Sequence, residues 1–566
     1  MTDSKENEGI LPITNTVFLD IETDGLNPTM IHCVVTKRPN EVSLVHTSRD
    51  QLLRELRKGG KVVGHNVIGY DLPVLQRLWN IQIPQERVID TLVLSTLFHF
   101  DIDKGHSLAM WGQRLGFPKG DHTDWSELSE EMIEYCKRDV DVTERLYTAL
   151  CTQLMLRGFS EHCIQLEHSV AFICKEQEVN GFCFDKQQAE KLSKELNDRM
   201  QRIERDLQEV FPPITEDRGH GKHGKKLKDK ITVFNVGSRQ QIADRLASKG
   251  ARWEELTPSG KPKVDEATLK KQDHIPEAKI ILRYLLCQKR ASQVDSWLKA
   301  VTEDGLIHGR VRHIGAVTGR MSHSNPNLAQ VPAVGAEYGK ECRSLFKASE
   351  GKVLVGADAS GLELRMLAHY MDSEDYTKEL LDGDIHTLNQ ELAGLQTRAQ
   401  AKTFIYAFLY GAGAEKIGRI LDPDSESKSA MSQGNKIRNK FLKRVPSLKN
   451  LKDKVTKEAE TGYIKGLDGR VLRVRSAHSA LNSLLQGAGA VVMKEAIVIL
   501  YDLLSNVDFK LVAQVHDEWQ IECNPEEAEF VGRSCVNAMV FAGQSLKLNC
   551  PLDGEFKIGN SWADTH

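Results

Sequence analysis

The chain has 566 residues, and its 75 Lys and Arg against 79 Asp and Glu leave a net charge of −4. That length is too great for one core, so three or more domains are expected, and the near-even charge excludes a uniformly basic surface: a polyanionic partner must be met by local patches. Eleven cysteines stand singly with no C-x-x-C pair, which argues for a reducing compartment and against structural zinc or a disulfide framework.

From Thr16 to about Cys151, strand-like runs ("TVFLDIE", "KVVGHN") alternate with helical patterns, so an α/β unit is expected. The start, "MTDSKENEGI", reads as neither signal nor transit peptide, and no run is apolar enough for a membrane span. "FLDIETDGL" puts Asp20 and Glu22 two apart on a strand, hence on one face. Like charges so placed raise each other's pKa unless a cation lies between them. "GHNVIGYDLPVL" adds Asp71, and "YCKRD" puts Tyr135 and Asp139 four apart on one helical face. Asp90, in "VIDTLVL", is read as supporting the fold. Alone, an Asp-x-Glu pair is far more often a solvated strand edge.

Residues 161–211 carry helical periodicity with charge pairs on the outer face. "FPPITEDRGHGKHGKKLKDK" ends that helix with Pro and Gly and reads as a mobile basic loop. Further helical stretches follow, including "IPEAKIILRYLLCQKRASQVDSWLKAV", and from Gly305 strands and helices mix. "KVLVGADASGLELRMLAHY" is an apolar strand ending at Asp358, then a turn and a helix. In "RAQAKTFIYAFLYG", Arg398, Lys402, Tyr406 and Tyr410 fall at every fourth position. They form one stripe of roughly 18 Å, cationic at one end and aromatic at the other. Such a stripe suits a ligand that is anionic at one end and flat at the other; a surface helix with a solvated basic edge is the ordinary alternative. "DPDSESKSAMSQGN" (422–435) is expected to be a flexible loop. "LVAQVHDEWQIEC" reads as strand, turn and strand, with His516, Asp517 and Glu518 at the turn. Asp358 and Asp517 are each ordinary turn residues alone; together with the stripe they suggest a paired-carboxylate metal site.

These motifs resemble two known patterns. Asp20, Glu22, Asp71, Asp139 and Tyr135 resemble the DEDDy 3′–5′ exonucleases. "DASGLELR", "RAQAKTFIYAFLYG" and "VHDE" resemble motifs A, B and C of family A, bacterial polymerase I-like, DNA polymerases. "GAVTGRMSHSNPNLAQVP", "DIHT" and "ALNSLLQGAGA" add further matches, and the wording is most similar to replicative polymerases of short-tailed T-odd phages. The resemblance covers nearly the whole chain. It implies a multidomain α/β protein: an RNase H-like exonuclease domain (1–155), then a polymerase right hand. The right hand comprises a thumb (156–304, with a short basic loop at 212–234), palm (305–372), fingers (373–480) and palm again (481–566).

The resemblance also implies roles. Asp358 and Asp517, with the Ala359 carbonyl, would hold two Mg²⁺ at the polymerase site, and Asp20, Glu22, Asp71 and Asp139 two more at the exonuclease site, with Mn²⁺ able to substitute. Tyr135 would orient the attacking water. Glu363 would be a steric gate against a ribose 2′-OH, hydrogen-bonded to Tyr406. His386, Arg398 and Lys402 would hold the triphosphate, with Lys402 stabilising or protonating the leaving pyrophosphate, and Tyr410 would stack by the templating position. The Tyr406 hydroxyl implies weak discrimination against dideoxynucleotides. Arg320, Asn482, Gln486 and His516 would contact the primer terminus or the minor groove, where acceptors common to all base pairs report pair shape without sequence. Partners implied are primer-template DNA, dNTPs, and a phage helicase-primase and single-strand binding protein, in the cytoplasm of an infected bacterium. Phage relatives carry a long thumb insertion that recruits thioredoxin; 212–234 is too short for one, so no thioredoxin dependence is expected. Instead Lys222, Lys225, Lys226 and Lys228 are expected to meet duplex phosphates. No 5′–3′ exonuclease domain is expected before the first strand.

Overall fold

A computed structural model describes residues 15–220, 226–423 and 425–566. Its first sheet has five strands in the order Leu44–His46, Ile31–Lys37, Thr16–Thr23, Lys61–Gly64 and Val88–Asp90. Pairing is antiparallel up to Thr16–Thr23 and parallel beyond it. The central strand buries Val17, Phe18, Leu19 and Ile21 on its two faces, as a strand covered on both sides must. Asp20 and Glu22 therefore interrupt a core strand and do not lie on a solvated edge. The helix Glu130–Leu156 crosses this strand. It starts at Ser129, whose side chain accepts from the Met132 N–H, and it buries Met132, Cys136, Val140, Tyr147 and Leu154 along one face.

The helix Glu161–Asn180 joins this unit to the rest, packing on the helix Thr91–Phe98 on one side and on Ala480–Leu503 and the strand Phe509–Val515 on the other. Two helices, Lys186–Val210 and Pro276–Ala300, then pair along their length. Between them in sequence, the described part of the basic stretch carries regular structure. Ile214–Glu216 and Lys230–Thr232 pair as an antiparallel hairpin, rooted on a small core that includes Phe211, Phe234 and Ile242. β-branched residues on both arms favour the pairing. Lys226 and Lys228 are exposed, whereas Lys222, His223 and Lys225 lie outside the described residues.

The second main sheet is fully antiparallel, in the order Phe509–Val515, Glu518–Cys523, Val353–Ala359 and Gly554–Gly559. Helices Ala480–Leu503 and Ala528–Ser545 pack together, and Ala528–Ser545 lies on the sheet. One stretch, Ala477–Leu503, has the length and hydropathy to cross a membrane, but 78% of that window is buried inside the fold. Helices between Glu374 and Glu458 pack around Arg398–Leu409, and their core, including Phe404, Phe408 and Phe441, is continuous with that of the second sheet. Here the expected flexible loop at 422–435 is corrected, because the helix Ser427–Arg444 takes up most of it. Gly434 explains the difference: a Cβ there would lie 1.7 Å from the Ala414 carbonyl oxygen. The polar letters lie on a helix whose glycine and Ala430 allow close contact with the short helix Ala414–Gly418.

Candidate active sites

In the first unit the strand and two helices bring the acidic residues together. Asp20 and Glu22 come from the central strand, Asp71 is the first residue of the helix Asp71–Trp79, and Asp139 comes from Glu130–Leu156. Glu22, Asp71 and Asp139 are buried. Burial first, then Asp139, pushes the Asp20 carboxyl up to about 7, and burial with Asp20 and Asp139 pushes Glu22 up to about 10. Asp71 and Asp139 are raised too, burial being the largest cause for each. Repelled carboxylates in a dry cleft need cations. One is present: Lys119 Nζ lies 2.6 Å from Asp139 Oδ2 and 4.6 Å from the centre of the Tyr135 ring. The other Asp139 oxygen, Oδ1, is buried without a partner. Trp125 and His122 pack on Tyr135 at 5.7 and 5.8 Å between ring centres, making an aromatic wall. Asp90 does support the fold. It accepts from the N–H groups of Asn66, Ile68 and Leu92, which caps the helix Thr91–Phe98 and ties down the loop after Gly64. Sequence reasoning missed Lys119, which stands in a loop with no motif around it, and Cys136, whose Sγ is 3.4 Å from Asp20 Oδ2.

In the second sheet, Asp358 stands next to the end of its strand, opposite Glu518, and Asp517 sits in the turn between the neighbouring strands. The Ala359 N–H donates to the Asp517 carbonyl at 3.1 Å, and His516 takes a φ of 59°, so the turn is folded against the strand end. Confinement first, then repulsion from Asp517 and Glu518, carries the Asp358 carboxyl up to about 7, although its side chain is open to solvent. Asp517 is raised by burial and by Glu363. Glu518 differs. It is buried, it accepts from Trp562 Nε1, Arg343 at 3.4 Å neutralises it, and His566 Nδ1 lies 3.2 Å away. Burial pushes its carboxyl up, but these partners outweigh that and hold it below the usual range.

The helix Arg398–Leu409 opens with Thr397 and Gln400 in a reciprocal cap. Arg398 donates to Asp384 at 2.6 Å, the same residue that caps the helix carrying His386. Lys402 is exposed and has no ion-pair partner among the described residues. Tyr406 is half-buried, its ring centre 6.3 Å from that of His386, whose Nδ1 is buried without a partner. Tyr410 caps the C-terminal end of the helix, so the stripe turns at its last member. This corrects the expected partner of Glu363: the Tyr410 hydroxyl, not that of Tyr406, donates to Glu363 Oε1 at 2.8 Å. Arg320 Nη2 is 3.5 Å from the same oxygen. Gln486 donates to Asn482 one turn earlier at 2.8 Å. A cavity of about 320 Å³ is lined by Arg320, Glu363, Tyr410, His516 and Asp517 among others.

A family model described as DNA polymerase family A matches residues 186–564. The chain is a family A DNA polymerase. It is 35% identical to the DNA-directed DNA polymerase of Escherichia phage T7 over 97% of this chain and 100% of the relative. It is also 35% identical to that of Enterobacteria phage T3 over 91% of this chain and 94% of the relative. DNA polymerase I of Aquifex aeolicus is 25% identical over 96% and 95%. The fold is shared with the polymerase domain of Pol1 from M. smegmatis, solved in complex with a DNA primer-template and dNTP, at a TM-score of 0.80 and 19% identity over 97% of this chain and 95% of that one. The polymerase thus has the right-hand architecture, and the Asp358–Asp517 pair, the Arg398–Leu409 helix and the cavity all fall within the matched segment.

Proposed function

We propose that this polymerase extends a primer 3′ end with dNTPs at the Asp358–Asp517 site and proofreads at the Asp20–Glu22–Asp71–Asp139 site. The observation that carries the reading is a pair of raised carboxyls, Asp358 at its strand end and Asp517 in the turn folded against it, with Asp517 at a cavity also lined by Arg320, Glu363 and Tyr410. The donor sets fit Mg²⁺, because both sites offer carboxylates that repel one another and the exonuclease site holds an orphaned buried Asp139 oxygen. Bound there, two divalent ions would neutralise the attacking and leaving oxygens of an in-line phosphoryl transfer, with Mn²⁺ as a substitute.

The chain's own residues do the rest. At the polymerase site, Asp358, Asp517 and the Ala359 carbonyl are the ligands. Arg398, Lys402 and His386 bind the triphosphate, and Lys402, the exposed ammonium, donates to the pyrophosphate as it leaves. Tyr406 lies against the sugar and Tyr410 by the templating base, while Glu363, held by Tyr410 and Arg320, closes the space a 2′-OH would occupy. Arg320, Asn482, Gln486 and His516 meet the primer terminus and minor groove. At the exonuclease site, Tyr135 positions the water that attacks the terminal phosphodiester, once Lys119 shifts from Asp139 or meets the substrate phosphate.

The same reading divides the chain into exonuclease (1–155), thumb (156–304), palm (305–372 and 481–566) and fingers (373–480). It sets the enzyme in phage genome replication in the host cytoplasm, with helicase-primase and single-strand binding protein as further partners. It also needs no thioredoxin. The alignment with the phage T7 enzyme runs over 712 positions against 566 residues here, so that relative carries insertions this chain lacks.

A labelled primer-template in Mg²⁺, with and without dNTPs and without thioredoxin, tests the proposal. Wild type is expected to extend the primer with dNTPs and shorten it without them. Asp517→Ala should lose only extension, and Asp20→Ala/Glu22→Ala only shortening. Wild type that degrades the primer but never extends it would defeat the polymerase assignment; one that extends but never shortens would defeat the proofreading one.

A further inference from the structure

We propose that Cys136 is a sulfur ligand built into the proofreading site, so that the Asp20–Glu22 pocket takes thiophilic divalent cations such as Cd²⁺ and Zn²⁺ through a carboxylate–thiolate set. The proposal rests on the exonuclease reading above and goes beyond it by assigning a donor that an all-carboxylate site lacks.

Ligand atoms of Asp20, Glu22 and Cys136 all lie within 4.8 Å of one another. Cys136 is fully buried, and its thiol points at Asp20, with Sγ 3.4 Å from Oδ2 and 3.6 Å from the Asp20 carbonyl. One helical turn on, Asp139 Oδ1 is buried without a partner, and Asp139 acts on both Asp20 and Glu22. A buried acidic pocket with an orphaned oxygen asks for a cation; a sulfur at its wall biases which one. Cys33, paired with Glu22 across the sheet, contacts the same thiol from behind and is the second sulfur to be separated in any test.

The chemistry follows from donor softness. Carboxylates suit Mg²⁺ and Mn²⁺, while thiolates select softer ions. Burial and the neighbouring carboxylates hold the Cys136 thiol well above its ordinary value, so only a bound cation would make it ionise; its proton then passes to Asp20 Oδ2, 3.4 Å away, and its sulfur lone pair to the metal, with no change of oxidation state. The ligands assigned at the polymerase site, Asp358, Asp517 and the Ala359 carbonyl, are all oxygen, with no thiol among the residues that line its cavity. Soft ions should therefore occupy the proofreading site first and displace Mg²⁺ there at concentrations that leave extension intact.

The intact, metal-free protein is titrated with Cd²⁺ while ultraviolet absorption from thiolate-to-metal charge transfer is followed, in wild type, Cys136→Ala, Cys136→Ser and Cys33→Ala. Mg²⁺-dependent primer extension by the same preparations reports that each variant is folded. Wild type and Cys33→Ala should show a saturable band at one Cd²⁺ per chain; both Cys136 variants should lose it. Calorimetric Cd²⁺ affinity should fall by about tenfold or more, the scale on which metal sites lose affinity with a supporting group. Cys183, the one cysteine that is not buried, contributes equally to all four and cancels in the differences. Bands of equal size in wild type and Cys136→Ala overturn the proposal, as does loss of the band in Cys33→Ala alone. Mg²⁺-dependent primer shortening with no Cd²⁺ band overturns the thiol ligand and leaves the exonuclease standing. A Cys136-dependent band without shortening overturns the exonuclease and leaves the metal site standing.

Discussion

Glu167→Gln should cost this polymerase about 3–5 kcal/mol, the usual result of removing one partner from a buried ion cluster. Glu167 lies on the helix Glu161–Asn180 and is fully buried. It receives Lys494 Nζ at 2.6 and 2.8 Å on its two oxygens, Arg470 Nη1 at 2.7 Å and His313 Nδ1 at 2.8 Å. Burial disfavours all of these charges. Mutual attraction outweighs it for Glu167 and Arg470, whereas Lys494 is left below its ordinary value. A glutamine keeps one acceptor oxygen and sets an NH₂ against donors. Arg470 would still have Asp468 at 2.7 Å, but Lys494, only 1% exposed, has both its hydrogen bonds on Glu167. Lys494→Met should cost less, because Glu167 then keeps Arg470 and His313. Because the Glu167 carboxyl is held far below its ordinary 4.5, its stabilisation is complete above that value and shrinks as pH falls below it. Urea unfolding of wild type, Glu167→Gln and Lys494→Met at neutral and acid pH reads all three effects. A Glu167→Gln loss under about 1 kcal/mol, or a Lys494→Met loss exceeding it, would refute the reasoning.

Three other perturbations test separate parts of the account. Tyr410→Phe removes the bond that holds Glu363 and should raise ribonucleotide incorporation relative to deoxynucleotide by about tenfold, taking roughly 1.5 kcal/mol for a charge-assisted bond; an unchanged ratio speaks against the clamp. Tyr406→Phe should lower the ddNTP to dNTP incorporation ratio, because the hydroxyl that substitutes for the missing 3′-OH is gone, and an unaltered ratio would contradict that placement. Gly434→Ala drives a methyl into the Ala414 carbonyl at 1.7 Å and should lower the thermal midpoint, at a cost of about 1–3 kcal/mol; a midpoint equal to wild type would show that the two helices can part without penalty.

Much of both sites was legible because each rests on local rules. Alternation places Asp20 and Glu22 on one face, and strand–turn–strand patterning places Asp517 at a tip. What stayed hidden depends on packing between distant segments. Lys119 reaches Asp139 from a loop 20 residues earlier, and no periodicity announces it. Cys136 matters only because the helix crosses the strand where it does. The expected Glu363–Tyr406 bond comes from the resemblance alone; here the helix ends at Leu409 and turns the Tyr410 side chain toward Glu363 instead. The polar run 422–435 concealed a helix, since composition alone does not reveal that Gly434 admits a neighbouring backbone. The Glu167 cluster was invisible for a similar reason: its members come from residues 167, 313, 470 and 494, far apart along the chain.

The most direct test of the central claim is single-turnover incorporation of one dNTP by wild type and Asp517→Ala, alongside primer-template affinity measured on the same preparations. The account predicts that incorporation falls by at least about 10²–10³-fold, the scale of losing one electrostatic group at a reacting centre, while DNA affinity stays within a few-fold. Incorporation at the wild-type rate by Asp517→Ala would contradict it, because the carboxylate pair would then not be where the chemistry occurs.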